Sequence, residues 1–321
     1  MGNPRRSRRR LRTSPRKMAL SRPAKRWSST VAAYPPALSE TSEKPVNAIN
    51  NSPERISVIP TGGALGAEIT GLDLSQPMPP ATVAIIRQAF LDHCVVFFRD
   101  QTLSEPDQVR FTRYFGEPVI HVREQAERAT PEIMMVSNVK QNGKPIGALG
   151  HREIEFHSDL SYMPKPGTIS MLYAVEIPDQ GGATQWCNGY AAYAGLDDAM
   201  KQRLAGLRAT HLHFRPEQNP ETVTDHPVVC THPETGRKTL FVSPYFAKTI
   251  VGMEESESQD LLTTLFAYET RPEYIWTHQW QVGDLVMWDN RATMHRREPF
   301  PDTQRRIMKR TQIYNETVPV E

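Results

Sequence analysis

Cysteine is scarce in this chain. Its 321 residues include three, Cys94, Cys187 and Cys230, an odd number with no paired spacing. That argues against a disulfide framework or a cysteine zinc site, and for reduced core thiols. Long apolar runs are missing too. The longest strongly apolar stretch, Cys94-Val95-Val96-Phe97-Phe98, is far too short to span a bilayer, so a soluble protein without a membrane partner is expected. Acid is absent from residues 1–39, which carry eleven Lys and Arg. Of the 38 basic residues, 27 are left for the rest of the chain against all 36 acids, a net of −9 there although the whole is +2. An acidic body is a poor surface for nucleic acid, and no nucleic-acid partner is expected. No apolar run follows the charges of the arm, so a secretory signal is not expected.

Residues 1–53 are basic, with scattered Ser and Pro, and cannot form a core; they read as a disordered basic N-terminal arm before one catalytic domain over 54–321. The arm has the Arg- and Ser-rich, acid-poor composition of a transit peptide, but its prolines spoil an amphipathic helix. An arm for nucleic acid or anionic membrane is a second explanation. The preferred one is a start assigned too early, with Met18 or a later site as the beginning. A cytoplasmic location follows, or a mitochondrial one if the arm is a transit peptide.

From Ile56 the pattern is globular. Ile56, Val58 and Pro60 open a strand, Pro80 heads a helix carrying Val83, Ile86 and Phe90, and Cys94–Phe98 is a strand. Ser104 caps a second helix with Asp107 three residues on, and Gly116 ends it. Much of 117–150 reads as a mobile loop beside the site. Strands are expected at 154–162, 169–175, 184–188, 238–242, 274–280, 285–288 and 306–314, with Glu234-Thr235-Gly236 as a hairpin turn. Two helices, 190–207 and 257–270, interrupt them. The fold class is mainly β with flanking helices, a double-sheet jelly roll.

One stretch carries chemistry. In Glu155-Phe156-His157-Ser158-Asp159, His157 and Asp159 are two apart, so on an extended strand both leave the same face. With His295 from a distant strand they make a two-histidine, one-carboxylate metal triad that leaves half the coordination sphere open. A lone His-x-Asp pair is usually surface polarity, but the flanks add weight. Arg306, Met308 and Arg310 share a strand face, and two buried guanidiniums require anions. His211 and His213 read as structural or surface residues, His226 and His232 as loop hydrogen-bonders.

At these residues the chain resembles the taurine dioxygenase (TauD/TfdA) family of Fe(II)/2-oxoglutarate dioxygenases. The likeness runs from about Ile56 to Thr311, through Ile59-Pro60-Thr61-Gly62-Gly63, Phe115-Gly116-Glu117, His157-Ser158-Asp159, Gly181-Gly182-Ala183-Thr184, His232-Pro233-Glu234-Thr235-Gly236 and Trp288-Asp289-Asn290-Arg291. The resemblance implies a double-stranded β-helix of the cupin kind and Fe(II) on His157, Asp159 and His295. It also implies 2-oxoglutarate held by Arg306 and Thr184, and O2 at the remaining position. Succinate and CO2 would be released as a small anionic substrate is hydroxylated.

His121 and Arg310 match residues that contact substrate in the taurine enzymes. Glu124 stands where those have a tyrosine and Glu153 where they have an asparagine, so a carboxylate with a heteroatom or an aryl ether is at least as plausible a substrate as taurine. Activity is expected to fall under mildly acidic conditions, because histidine ligands must be neutral. The competing reading is a catalytically silent jelly-roll protein that binds a small molecule. A homo-oligomer is compatible with either.

Overall fold

Ten residues from Gly167 to Glu176 form the longest strand, and its first eight are buried. A strand covered on both faces belongs in the middle of a sheet. In the computed structural model, which describes residues 51–120, 129–314 and 318–321, it lies between Leu285–Asp289 and Ile307–Tyr314. The full order of this seven-stranded sheet is Ser57–Pro60, Ala67–Thr70, Val95–Phe98, Leu285–Asp289, Gly167–Glu176, Ile307–Tyr314, Met134–Ser137. All its pairs are antiparallel except Ala67–Thr70 with Val95–Phe98.

The alternation of side chains along a strand sorts this sheet into two faces. Val96, Phe98, Met171 and Met287 pack with Ile86, Phe90 and Phe111 of the helices Pro80–His93 and Glu105–Arg113. Val95, Phe97, Leu172, Trp288 and Met308 point the other way, into a core shared with Trp186. Trp186 belongs to a second sheet of four strands, ordered Ile275–His278, Thr184–Asn188, Thr293–Arg297, Ile154–His157. The two facing sheets are the jelly roll. A satellite core under the helix Glu255–Glu269 and the strands Arg208–His211 and Ala247–Ile250 lies beside it. Among the described residues no helix is long and apolar enough to cross a membrane.

Local rules explain most element ends. Ser104 and Asp107 form the reciprocal capping box at the second helix, a device worth about 1 kcal/mol. That helix stops at Arg113, before Gly116. Four expectations need correction. The strand from Ile154 ends at His157 rather than Tyr162. The helix expected over 190–207 is two, Gly189–Gly195 and Asp198–Leu204, because Asp197 caps a new start with its carboxylate on the Met200 N–H. Part of the expected loop at 117–150 is the edge strand Met134–Ser137, which pairs with Ile307–Tyr314. Cys94 lies outside its strand, left-handed at φ 63° as the cap of the preceding helix.

Buried imidazoles tie stability to pH. His211 is shielded, bonded through Nδ1 to the Ser161 hydroxyl at 3.0 Å, and burial pushes it down to about 3. Unfolding lets it take up a proton near 6.5 that the folded state refuses, so the unfolded state binds more protons and stability drops as pH falls from 6.5 toward 3. Between about pH 6 and pH 4 the loss from this residue is about 2 kcal/mol. Urea denaturation at both pH values, in the parent and in His211→Asn, measures it. Identical pH dependence in the two proteins would refute the account.

Candidate active site

Cross-strand pairing builds the first half of the site. His295 is the direct partner of His157 in the second sheet, and the two rings lie 4.2 Å apart by centroid. Asp159 comes by another route from the one expected. It lies past the end of its strand, in a turn where Leu160 has a φ of 59° and Gly167 N–H donates to the Asp159 carbonyl at 3.1 Å. The turn, not a shared strand face, carries its carboxylate to the imidazoles. One ligand atom of each of His157, Asp159 and His295 falls within 4.8 Å of the others, and all three residues are buried.

The protonation states suit a divalent cation. His157 Nδ1 donates to the Glu155 carbonyl at 2.7 Å, which leaves Nε2 as the acceptor, 3.7 Å from Asp159 Oδ1. His295 Nε2 is 4.0 Å from Asp159 Oδ2. Burial pushes both imidazoles down, His295 to about 3, so they are neutral across the physiological range. The acid fall-off expected from ordinary imidazoles therefore moves to lower pH. Burial alone would raise Asp159, but the Arg310 charge and the Ser170 hydroxyl work against it, and the carboxyl is held well below the usual range. A carboxylate between two neutral imidazoles is the donor set of a metal centre with open positions.

Asn290 fixes this arrangement. Its Oδ1 accepts from Trp288 Nε1 at 3.0 Å and from the Asp159 N–H at 3.2 Å, while its Nδ2 donates to Ser170 Oγ at 3.0 Å. Ser170 in turn donates to Asp159 Oδ2 at 2.7 Å. Next door, Asp289 accepts from Arg291 and pairs with His232 at 2.9 Å. His232 and His226 are hydrogen-bonders as expected but buried ones, His226 facing the carbonyls of Ser161 and Met163.

Beyond the triad, a cavity is lined by His157, His295, Thr184, Arg297, Arg306 and Arg310. Arg306 is 2% exposed, has no carboxylate partner among the described residues, and leaves Nε and Nη2 unbonded. Burial pushes it down to about 9, still a cation at neutral pH. Such a group requires an anion. Thr184 Oγ1 accepts from Trp280 Nε1 at 3.0 Å, so its own proton is free to donate. The turn ahead of it needs glycine: Gly181 has φ 72°, and a Cβ there would meet the Pro299 carbonyl oxygen at 2.4 Å.

A second cavity, of about 530 Å³, opens on the other side of the triad. Arg310 lines it, donating to Asp159 Oδ1 at 3.4 Å, and Tyr162, Phe214, Tyr245 and Phe246 make an aromatic wall. His213, read from sequence as structural, belongs to this wall. Glu153 does not reach it. It is exposed just ahead of the strand that begins at Ile154, pairs with Arg296 at 3.5 Å, and lines a separate cavity with Glu155 and Phe156. His121 and Glu124 lie outside the described residues. Arg297 went unnoticed in the sequence, though its place two residues after His295 puts it on the same strand face.

Residues 57–312 match the family described as taurine catabolism dioxygenase TauD, TfdA family. The chain is 35% identical over 288 residues to an alkylsulfatase of Acinetobacter baylyi, covering 84% of this chain and 88% of that protein. It is 34% identical over 266 residues to an alpha-ketoglutarate-dependent 2,4-dichlorophenoxyacetate dioxygenase of a Burkholderia species, covering 76% and 89%. The crystal structure of a taurine dioxygenase from Burkholderia xenovorans superposes with a TM-score of 0.71 at 37% identity, over 83% of this chain and 97% of the other.

Proposed function

The chain belongs to the TauD/TfdA family of 2-oxoglutarate-dependent dioxygenases, and from that premise we propose that it hydroxylates a small organic anion with an apolar alkyl or aryl body, using Fe(II). His157, Asp159 and His295 would hold the metal. Arg306 and Thr184 would hold the distal carboxylate of 2-oxoglutarate, the guanidinium as a fork and the hydroxyl as a second donor. When bound, the iron supplies the redox chemistry that couples decarboxylation of 2-oxoglutarate to oxidation of a C–H bond by O2.

The observation that carries the substrate class is the second cavity: Arg310 stands in it beside an aromatic wall, and among the described residues the one carboxylate paired with it is Asp159, the proposed metal ligand. A guanidinium at the inner end selects an anionic head, and the wall accommodates an apolar body next to the oxidised carbon. Arg297, Arg306 and Arg310 bring three positive charges against Asp159, an excess that suits two anionic ligands. The alkylsulfatase and dichlorophenoxyacetate relatives act, by their names, on molecules of this shape. Hydroxylation of the carbon that carries the ester or ether oxygen would make a hemiacetal-type product, which expels the oxygen-linked group and leaves a carbonyl compound.

The test is succinate release from 2-oxoglutarate with a panel of medium-chain alkyl sulfates, aryloxyacetates and taurine, with Arg310→Gln alongside. Apolar-bodied anions are expected to stimulate release well above taurine, and the variant to raise KM by about tenfold or more. A preference for taurine would overturn the substrate class. Metal binding without succinate from any anion would favour the catalytically silent binding protein.

A further inference from the structure

We propose that Arg297 is a second guanidinium of the 2-oxoglutarate site and fastens the Leu149–Arg152 loop as a cover over the co-substrate's distal carboxylate. This rests on the reading of the Arg306 cavity given above. Arg297 lines the same cavity as Arg306 and is 6% exposed. No carboxylate pairs with it among the described residues, and its Nε is buried without a partner. Its other nitrogens reach outward to the loop: Nη1 donates to the Leu149 carbonyl at 2.6 Å, and Nη2 to the Arg152 carbonyl. One planar fork thus joins a cavity that wants an anion to two carbonyls of an adjoining loop.

The loop bears marks of being held. Leu149 is left-handed at φ 67°, a conformation that a bulky side chain enters only when its surroundings impose it. Its side chain lines both the co-substrate cavity and the larger aromatic one, so it stands at their boundary, yet it is 43% exposed. A second tie runs from Phe300 N–H to the His151 carbonyl at 3.2 Å, and the Arg297 guanidinium lies 5.3 Å over the Phe300 ring. Burial pushes Arg297 down to about 10, and Arg306 is lowered first by its own burial and then by the Arg297 charge. Two such cations side by side are uncomfortable until a carboxylate arrives between them. Its arrival would firm up Arg297 and, through it, the loop.

The experiment uses the full chain loaded with Mn(II), a redox-quiet stand-in, and two probes: 2-oxoglutarate, and 2-oxobutyrate, which has the same keto-acid head without the distal carboxylate. Calorimetry gives affinities, and hydrogen exchange follows the peptide covering 149–153. In the parent, 2-oxoglutarate should slow exchange in that peptide and 2-oxobutyrate should not. Arg297→Gln should weaken 2-oxoglutarate by about tenfold or more, leave 2-oxobutyrate within about twofold, and abolish the slowing. Arg297→Lys keeps the charge but cannot bridge two carbonyls, so it should retain part of the affinity and lose the slowing; it carries the test if the glutamine variant does not fold. Unchanged 2-oxoglutarate affinity in Arg297→Gln, or a parent loop indifferent to 2-oxoglutarate, overturns the inference. A parent that binds neither keto acid instead overturns the reading it rests on.

Discussion

Alanine in place of His157 is expected to abolish metal binding and turnover together. Under anaerobic conditions the parent, titrated with Fe(II) and 2-oxoglutarate, should develop the visible charge-transfer band of the chelate, and the variant should show none at the same concentrations. Three donors converge here, and losing one leaves a carboxylate and a single imidazole. Groups that merely orient metal ligands are commonly worth about 10–100-fold in affinity, so losing a ligand itself should exceed that. The fold should survive, because the imidazole borders the cavities and, among the described residues, its one hydrogen bond is to the Glu155 carbonyl. A native far-ultraviolet spectrum beside a missing band is the expected pair of results. A band of parental strength in the variant would remove His157 from the metal.

Arg306→Ala should separate affinity from stability. For 2-oxoglutarate the expected loss is about 100-fold, from the roughly 3 kcal/mol that one half of a buried charge pair is worth, with Fe(II) binding unchanged. The ligand-free protein should not suffer. Arg306 sits buried with Nε and Nη2 unbonded and no paired acid among the described residues, so its deletion removes an unmet desolvation cost and eases Arg297. Thermal melts should therefore show the variant equal to or more stable than the parent without ligand, and insensitive to 2-oxoglutarate where the parent is raised. A variant that melts lower and binds 2-oxoglutarate like the parent would make Arg306 a structural residue.

The elements legible in the sequence were those with strong local rules. The strand Thr184–Asn188, the capped helix at Ser104 and the hairpin at Glu234-Thr235-Gly236 lie where pattern and turn chemistry put them. Boundaries failed where a polar side chain intervened, as at Asp197, or where tertiary pairing made a strand of weakly patterned residues, as at Met134–Ser137. The triad's residue types were readable, whereas the turn that delivers Asp159 was not, since His-Ser-Asp is as compatible with a strand as with a turn. Glu153 is a different case: matching a position to a family pattern says nothing of which cavity it borders, and here it lines one apart from the triad. Arg297 was hidden for a different reason. Its partners are main-chain carbonyls nearly 150 positions away, and a carbonyl leaves no signature in a sequence.

His157 and His295 meet as neighbours in one sheet, and the Ser158 hydroxyl beside them bonds the Thr293 carbonyl across 135 residues of chain. That separation sets the order of events during synthesis. Closing so long a loop is entropically late and slow, and a growing chain that has emerged only as far as the middle holds two of three donors, in a segment whose partner strand does not yet exist. A metal on this triad would lack its third donor until residue 295 has emerged. The three-donor site is complete only once the strand carrying His295 has paired with the one carrying His157.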